Sequence, residues 1–355
     1  MAYTTINKST DYFNTKLYTG DGNATNAITG VGFQPDWVWI KNRGTTARHV
    51  LFDAVRGSQK AIFSHLTDAE QSTNQYGTLN SFDSDGFTVA DGSSSGERTN
   101  NSSENYVSWN WRAGNSSGSS NSDGSITSTV SANTTSGFSI VKYTGTGANA
   151  TVGHGLGVAP RMVIIKNTST AESWIVGHKS LGFTKFLSLD ATNAAQTTSN
   201  RFNDTDPTSS VFSVGSADGT NKSGDTIIAY CFVEKTGFSK FGKYTGNANA
   251  DGPFVYTGFK PEFIMMKESN NSGQGWCMKT NSSNERVGNP NDYFLKADTT
   301  DVENTSTSFQ IDMLSNGFKI RTTDGIMNGS SDTFIYMAFA AAPLVGSNNV
   351  PCTAR

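Results

Sequence analysis

Pro35-Asp36-Trp37-Val38-Trp39-Ile40-Lys41 is a short apolar run held between a proline and a lysine. The same frame returns as Pro160-Arg161-Met162-Val163-Ile164-Ile165-Lys166 and as Pro261-Glu262-Phe263-Ile264-Met265-Met266-Lys267. Each proline lies 17 positions after the tyrosine of a Tyr-Thr-Gly tripeptide: Tyr18-Thr19-Gly20, Tyr143-Thr144-Gly145 and Tyr244-Thr245-Gly246. An insertion or deletion in any copy breaks that spacing. The chain is therefore read as an internal triplication with a unit of roughly 100 residues. Runs this short, bounded by Pro and a charge, read as strands covered on both faces, with proline where the ladder needs no donor.

Working outward, each unit repeats a series of short strands. A strand ends in the Tyr-Thr-Gly, and a further one starts at Val50, Trp174 or Trp276. The last strand runs Tyr106–Trp111, Ile227–Phe232 or Phe334–Phe339. Asp85-Gly86 and Asn316-Gly317 announce hairpins, whereas Val211–Val214 stands without the glycine. Turns every dozen or so residues and no helix-period segment predict an all-β chain of three tandem antiparallel β-sandwich modules, jelly-roll or lectin-like. Thr67–Ser72 is the one short helix candidate, with Thr67 as N-cap and Glu70 three residues on. The modules are expected at 1–113, 138–236 and 237–342. A Gly/Ser/Asn/Thr-rich linker, 114–137, joins the first two, and Ile126 and Val130 within it predict that it is pinned along a surface. No strand pattern appears from Ala340 on, which marks a C-terminal tail, 343–355, whose ordering needs a docking site such as a neighbouring subunit. Each module is large enough for its own core. On that reading, replacing Pro160 or Trp174 with Ala weakens the middle module alone.

Charged residues make up 16% of the 355 and the net charge is −3. With no long basic run, attraction to a nucleic-acid backbone has no source. Cys231, Cys277 and Cys352 form no CxxC pair and no zinc spacing. Residues 1–20 lack a signal-peptide pattern, and no 18-residue apolar stretch exists, so synthesis in a cytoplasm without membrane insertion is expected.

Candidate chemistry is sparse. His49, His65, His154 and His178 are not equivalent across all copies. His154, in Gly153-His154-Gly155-Leu156-Gly157, reads as a turn histidine rather than part of a phosphate loop, because no helix pattern follows. Asp204 and Asp206 are spaced for a hard cation but lie in turn-forming sequence. No Gly-x-Ser-x-Gly, HExxH or Walker motif is present. Trp37 with Trp39, and Trp109 with Trp111, alternate and so share a strand face: the core, or a platform for sugar rings. Catalytic, cofactor-binding and metal residues are therefore expected to be none. The positions singled out are the repeat scaffold: Tyr18, Pro35, Lys41, Tyr143, Pro160, Lys166, Tyr244, Pro261 and Lys267. Recognition is expected in the loops after the three lysines.

Phe33–Arg43, His49–Gly57, Ser84–Val89 and Gly153–Pro160, together with the tail segment Ala342–Pro351, resemble repeated modules of marine bacteriophage proteins, those of cyanophages and pelagiphages among them. The third copy departs most from these motifs. The resemblance spans essentially the whole chain. It implies a virion structural protein, a tail fibre, knob or capsid decoration, serving assembly and host attachment. It further implies other virion proteins as partners, a homo-oligomer, and a host surface glycan as target. A lectin-like carbohydrate-binding module and a polysaccharide depolymerase are the alternatives.

Overall fold

The computed structural model describes residues 3–72, 74–281 and 288–345. The protein is all-β. The first unit contributes β1 (Phe13–Thr19), β2 (Asn26–Thr29), β3 (Trp37–Asn42), β4 (Val50–Asp53), β5 (Gly57–Ile62), β6 (Thr78–Asp83), β7 (Gly86–Ala90) and β8 (Asn105–Trp111). Then come β9 (Ser119–Asn121) and β10 (Ser128–Asn133). The second unit has β11 (Phe138–Thr144), β12 (Ala150–Gly153), β13 (Met162–Asn167), β14 (Ile175–His178), β15 (Lys185–Ser188), β16 (Gln196–Thr197), β17 (Val211–Val214) and β18 (Thr226–Phe232). The third has β19 (Ser239–Thr245), β20 (Phe254–Tyr256), β21 (Phe259–Glu268), β22 (Cys277–Thr280), β23 (Leu295–Lys296), β24 (Ile311–Leu314), β25 (Gly317–Ile320) and β26 (Thr333–Pro343).

One antiparallel strand order occurs three times: β1-β8-β3-β4-β5, β11-β18-β13-β14-β15 and β19-β26-β21-β22-β23. A smaller sheet faces each large one: β2-β7-β6, β12-β17 and β20-β25-β24. The apolar runs supply both faces of the large sheets by simple alternation. Val38 and Ile40, Val163 and Ile165, and Ile264 and Met266 turn toward the small sheet of their own unit. Trp37 and Trp39, Met162 and Ile164, and Phe263 and Met265 turn the other way into one common cluster.

That common cluster corrects the expectation of independent beads. It holds Trp109 and Trp111 from the first unit, Tyr230 and Phe232 from the second, and Met337 and Phe339 from the third. The Trp37 ring lies 4.4 Å from Trp111 and 4.3 Å from Tyr230, while Phe13 stacks on Phe339 at 4.9 Å. The reason is geometric: a sheet apolar on both faces needs two covers, and the small sheet supplies only one. The second face of each sheet is covered by the other two units.

Three further expectations change. Residues 114–137 do not act as a linker. β10 pairs with β11 over Ser128–Asn133, β9 pairs with β10, and Ile126 and Val130 are buried in the core of the second unit. The tail begins later, because Ala340–Pro343 continue β26 against β21. Residues 346–355, Cys352 among them, lie outside the described residues. Thr67–Ser72 forms no helix: its backbone is drawn to the second unit through Thr67 and Glu70 and to β5 through Gln71, in place of the bonds of a helix turn. Pro35 and Pro160 precede their strands by two residues, whereas Pro261 sits inside β21 at a register shift, where a missing donor is tolerated.

Candidate functional site

The Tyr-Thr-Gly tripeptides close one end of each large sheet. The tyrosine hydroxyls donate to carbonyls of a facing loop: Tyr18 to Thr99 at 2.7 Å, Tyr143 to Thr220 at 2.6 Å and Tyr244 to Met327 at 2.8 Å. Burial raises all three hydroxyl pKa values well above the ordinary range. The glycine is required because a Cβ at Gly20, Gly145 or Gly246 would overlap the carbonyl oxygen of Asn101, Lys222 or Gly329. The next loop residue after each tyrosine's acceptor is a buried asparagine: Asn100, Asn221 and Asn328. Each accepts from the turn backbone, at Asp21, Thr146 and Asn247, and donates to the carbonyl of Asn23, Ala148 or Asn249. Sequence reading missed these asparagines. Their signal was a fixed spacing, six residues before Tyr106, Ile227 and Phe334.

Lys41, Lys166 and Lys267 are the next-to-last residues of the central strands and are fully buried. Each ammonium donates to the next residue's carbonyl: Asn42 at 2.5 Å, Asn167 at 2.7 Å and Glu268 at 2.8 Å. Lys166 also reaches Thr67 of the first unit at 3.0 Å, and Lys267 reaches Thr192 of the second at 3.4 Å. Lys41 lies in the field of Asp301 and Glu303 of the third unit. Burial lowers all three pKa values to about 8, against the pull of nearby carboxylates.

The lysines mark three equivalent joints. Glu172 N–H donates to Thr67 and Glu70 N–H to Thr168, both at 2.9 Å, tying the first unit to the second. Gly273 N–H to Thr192 at 3.0 Å and Ala195 N–H to Ser269 at 2.9 Å tie the second to the third. Ala47 N–H to Thr300 at 3.2 Å and Glu303 N–H to Arg43 at 3.0 Å tie the third back to the first. The chain thus closes a three-unit ring on itself. The Trp174 indole bonds Phe63 across one joint at 2.8 Å and the Trp276 indole bonds Ser188 across the next at 2.8 Å. His49 fills the matching place beside the Lys296 backbone, its Nδ1 accepting from the Trp39 indole at 2.9 Å. The nine scaffold residues thus stay apart as three matching sets, and only the lysines bear on the joints.

The joints share a frame and differ in content. The fourth residue of β4, β14 and β22 reaches the last large-sheet strand of the next unit. Asp53 accepts from the Tyr230 hydroxyl at 2.7 Å, the His178 Nε2 lies 3.3 Å from the Tyr336 carbonyl, and Thr280 accepts from the Trp109 indole at 2.9 Å. Asp53 also holds buried Arg56 at 2.5 Å, and Arg56 holds Glu70 at 3.1 Å. Burial alone would weaken the Arg56 charge, but Asp53, Tyr230 and Glu70 outweigh it and raise the pKa. The outer side of this network borders a half-open cavity of about 350 Å3 at the same joint. It is lined by Arg56, Lys60 and Glu70 from the first unit and by Lys142, Thr144 and Thr168 among others from the second.

Of the remaining candidates, the tryptophans and His154 resolve as packing and Asp206 as an exposed ion pair. All six tryptophans are at most 1% exposed, so Trp37 and Trp39 face the core and form no surface platform. His154 is buried, its Nδ1 accepting from Leu156 N–H at 3.2 Å. Asp206 pairs with Lys179 at 2.5 Å. Among the described residues, no three His, Cys, Asp or Glu side chains are grouped to hold a metal, and no helix is long and apolar enough to cross a membrane.

Residues 8–343 match the family described as a domain of unknown function, DUF7483, and the chain belongs to that family. No curated protein and no solved structure matches it.

Proposed function

We propose that this DUF7483 member is a structural protein of a bacteriophage particle, displayed on its surface as a tail fibre, knob or capsid decoration, where it serves assembly and host attachment. The observation that carries the reading is the fate of the repeated ionisable residue. Lys41, Lys166 and Lys267 are fully buried and hydrogen-bonded to backbone carbonyls, so the repeated chemistry builds the ring. The segments that resemble phage proteins fall on the same architecture. Phe33–Arg43 contains β3 and one side of a joint, and His49–Gly57 contains β4 with the Asp53–Arg56 pair. Its expected partners are other virion proteins and further copies of itself. The test is mass spectrometry of purified particles, with immunogold labelling to find the protein on them. Labelled particle surfaces are expected. A protein abundant in the infected-cell lysate but missing from particles refutes the proposal.

A lectin-like role is the second reading, favoured by the polar cavity at the joint of the first two units.

A further inference from the structure

The joint between the first and second units also differs from its two counterparts in the sheet that borders it. Among the described residues, the first and third large sheets end at β1 and β19, whereas β10 and β9 widen the second beyond β11. The face of β11 that carries Ile140 into the common core continues outward as Lys142 and Thr144. Thr129 pairs with Lys142, and Thr226 pairs with Thr144, so all four present the same side. There the aromatic filling stops and the cavity begins. At about 350 Å3 it falls within the range of roughly 300–1,000 Å3 expected of ligand sites.

Its lining is hydroxyl-rich and cationic. Of eleven lining residues, six are Ser or Thr, three are Arg or Lys and one is Glu. Arg56 is nearly fully buried and fixed by Asp53 and by the Lys60 carbonyl at 2.8 Å. The Lys142 ammonium is held over the first unit by the Val55 carbonyl at 3.3 Å. Lys60 lies 3.6 Å from Glu70, its side chain 45% exposed. A row of hydroxyls suits a ligand with many donors and acceptors. Arg56 is matched by Asp53 and Lys60 by Glu70, but among the described residues no carboxylate pairs with Lys142, and that cation suits a ligand carrying negative charge. A nucleic-acid strand would need a longer basic track and exposed stacking aromatics, whereas the one aromatic of this lining, Tyr143, is buried in the core of the second unit.

We infer that this cavity binds an acidic saccharide, a sugar residue bearing a carboxylate, with Lys142 and Lys60 facing the carboxylate and Thr129, Thr144 and Thr226 facing ring hydroxyls. The inference rests on the attachment part of the proposed function. Its test is separate from particle localisation: a protein absent from particles can still bind, and a protein on particles can fail to.

The experiment titrates trigalacturonate into the full chain by calorimetry, with maltotriose and citrate as the neutral saccharide and the non-saccharide anion. Trigalacturonate should bind, and neither control should match it. Lys142→Ala and Lys60→Ala should each weaken binding at least tenfold, while Lys16→Ala, outside the cavity, leaves it unchanged. Thr129→Val keeps the shape and removes one hydroxyl, so it tests the same wall should Lys142→Ala fail to fold, and a severalfold loss is expected. No binding at millimolar trigalacturonate overturns the inference. So does binding indifferent to the cavity variants, equal binding of citrate, or equal binding of maltotriose.

Discussion

Trp174→Ala tests whether the three units stand or fall together. The side chain is fully buried in the common core, and its indole N–H donates to Phe63 in the neighbouring unit at 2.8 Å. A tryptophan buries about 200 Å2, worth about 5 kcal/mol at ~25 cal/mol per Å2. Measured truncations of buried aromatics cost about 3–5 kcal/mol, and the orphaned Phe63 carbonyl adds about 1 kcal/mol. A loss of about 4 kcal/mol speeds exchange of globally protected amides roughly a thousandfold. Hydrogen exchange read by mass spectrometry resolves where that happens. Peptides from β3 and β8, β13 and β18, and β21 and β26 should all lose protection together. Trp174→Phe, which keeps most of the apolar volume, should give a much smaller and equally distributed loss. Loss confined to β13, β14 and β18, with β3 and β8 untouched, would refute a shared core and restore independent beads.

Three further outcomes are expected. Lys166 holds its proton less tightly when folded, at about 8, than in the unfolded chain, at its ordinary 10.5. Between those values the unfolded chain binds more protons and the lysine's contribution to stability rises with pH. Denaturant melts should therefore show wild type gaining on Lys166→Met as pH rises from 8 to 10, and parallel curves would count against the buried ammonium. His178, its pKa lowered to about 4 chiefly by burial, is neutral when folded, so stability is lost as pH falls from 6.5 toward 4, by up to about 3 kcal/mol at the bottom of that window. His178→Gln should flatten that fall, and an unchanged acid limb of the stability curve would contradict it. Gly145→Ala drives a Cβ into the Lys222 carbonyl and should cost roughly 1–3 kcal/mol in thermal melts, whereas a neutral outcome would mean the turn relaxes freely.

The apolar runs after Pro35, Pro160 and Pro261 were legible as fully covered strands, because four buried residues in a row leave no solvent face. What covered them was not. Alternation assigns Trp37 and Val38 to opposite faces without saying which face meets the strand's own unit and which meets a neighbour. The lysines looked like the charged limit of a run, since an ammonium satisfied by backbone carbonyls leaves no pattern in composition. Thr67–Ser72 carried a sound local helix signal, and the Glu70–Thr168 pairing that overrides it lies 98 positions away in the chain. The stretch 114–137 read as linker because its hydroxylated residues suit an exposed edge as well as a tether, and only Ile126 and Val130 gave away its anchorage. The cavity was least legible of all: Lys142 and Thr226 meet only through the pairing of β11 with β18, and Lys60 joins them only when the first unit docks on the second.

Closing the ring within one polypeptide changes what a single mutation can do. In an assembly of three identical subunits, every substitution arrives in triplicate, and a change tolerable at one contact must be tolerable at all. Here Asp53, His178 and Thr280 occupy one geometric post with an acid, an imidazole and a hydroxyl, each matched to a different neighbour. Such privacy lets one contact open a cavity or acquire a charge while its two siblings continue to hold the body together.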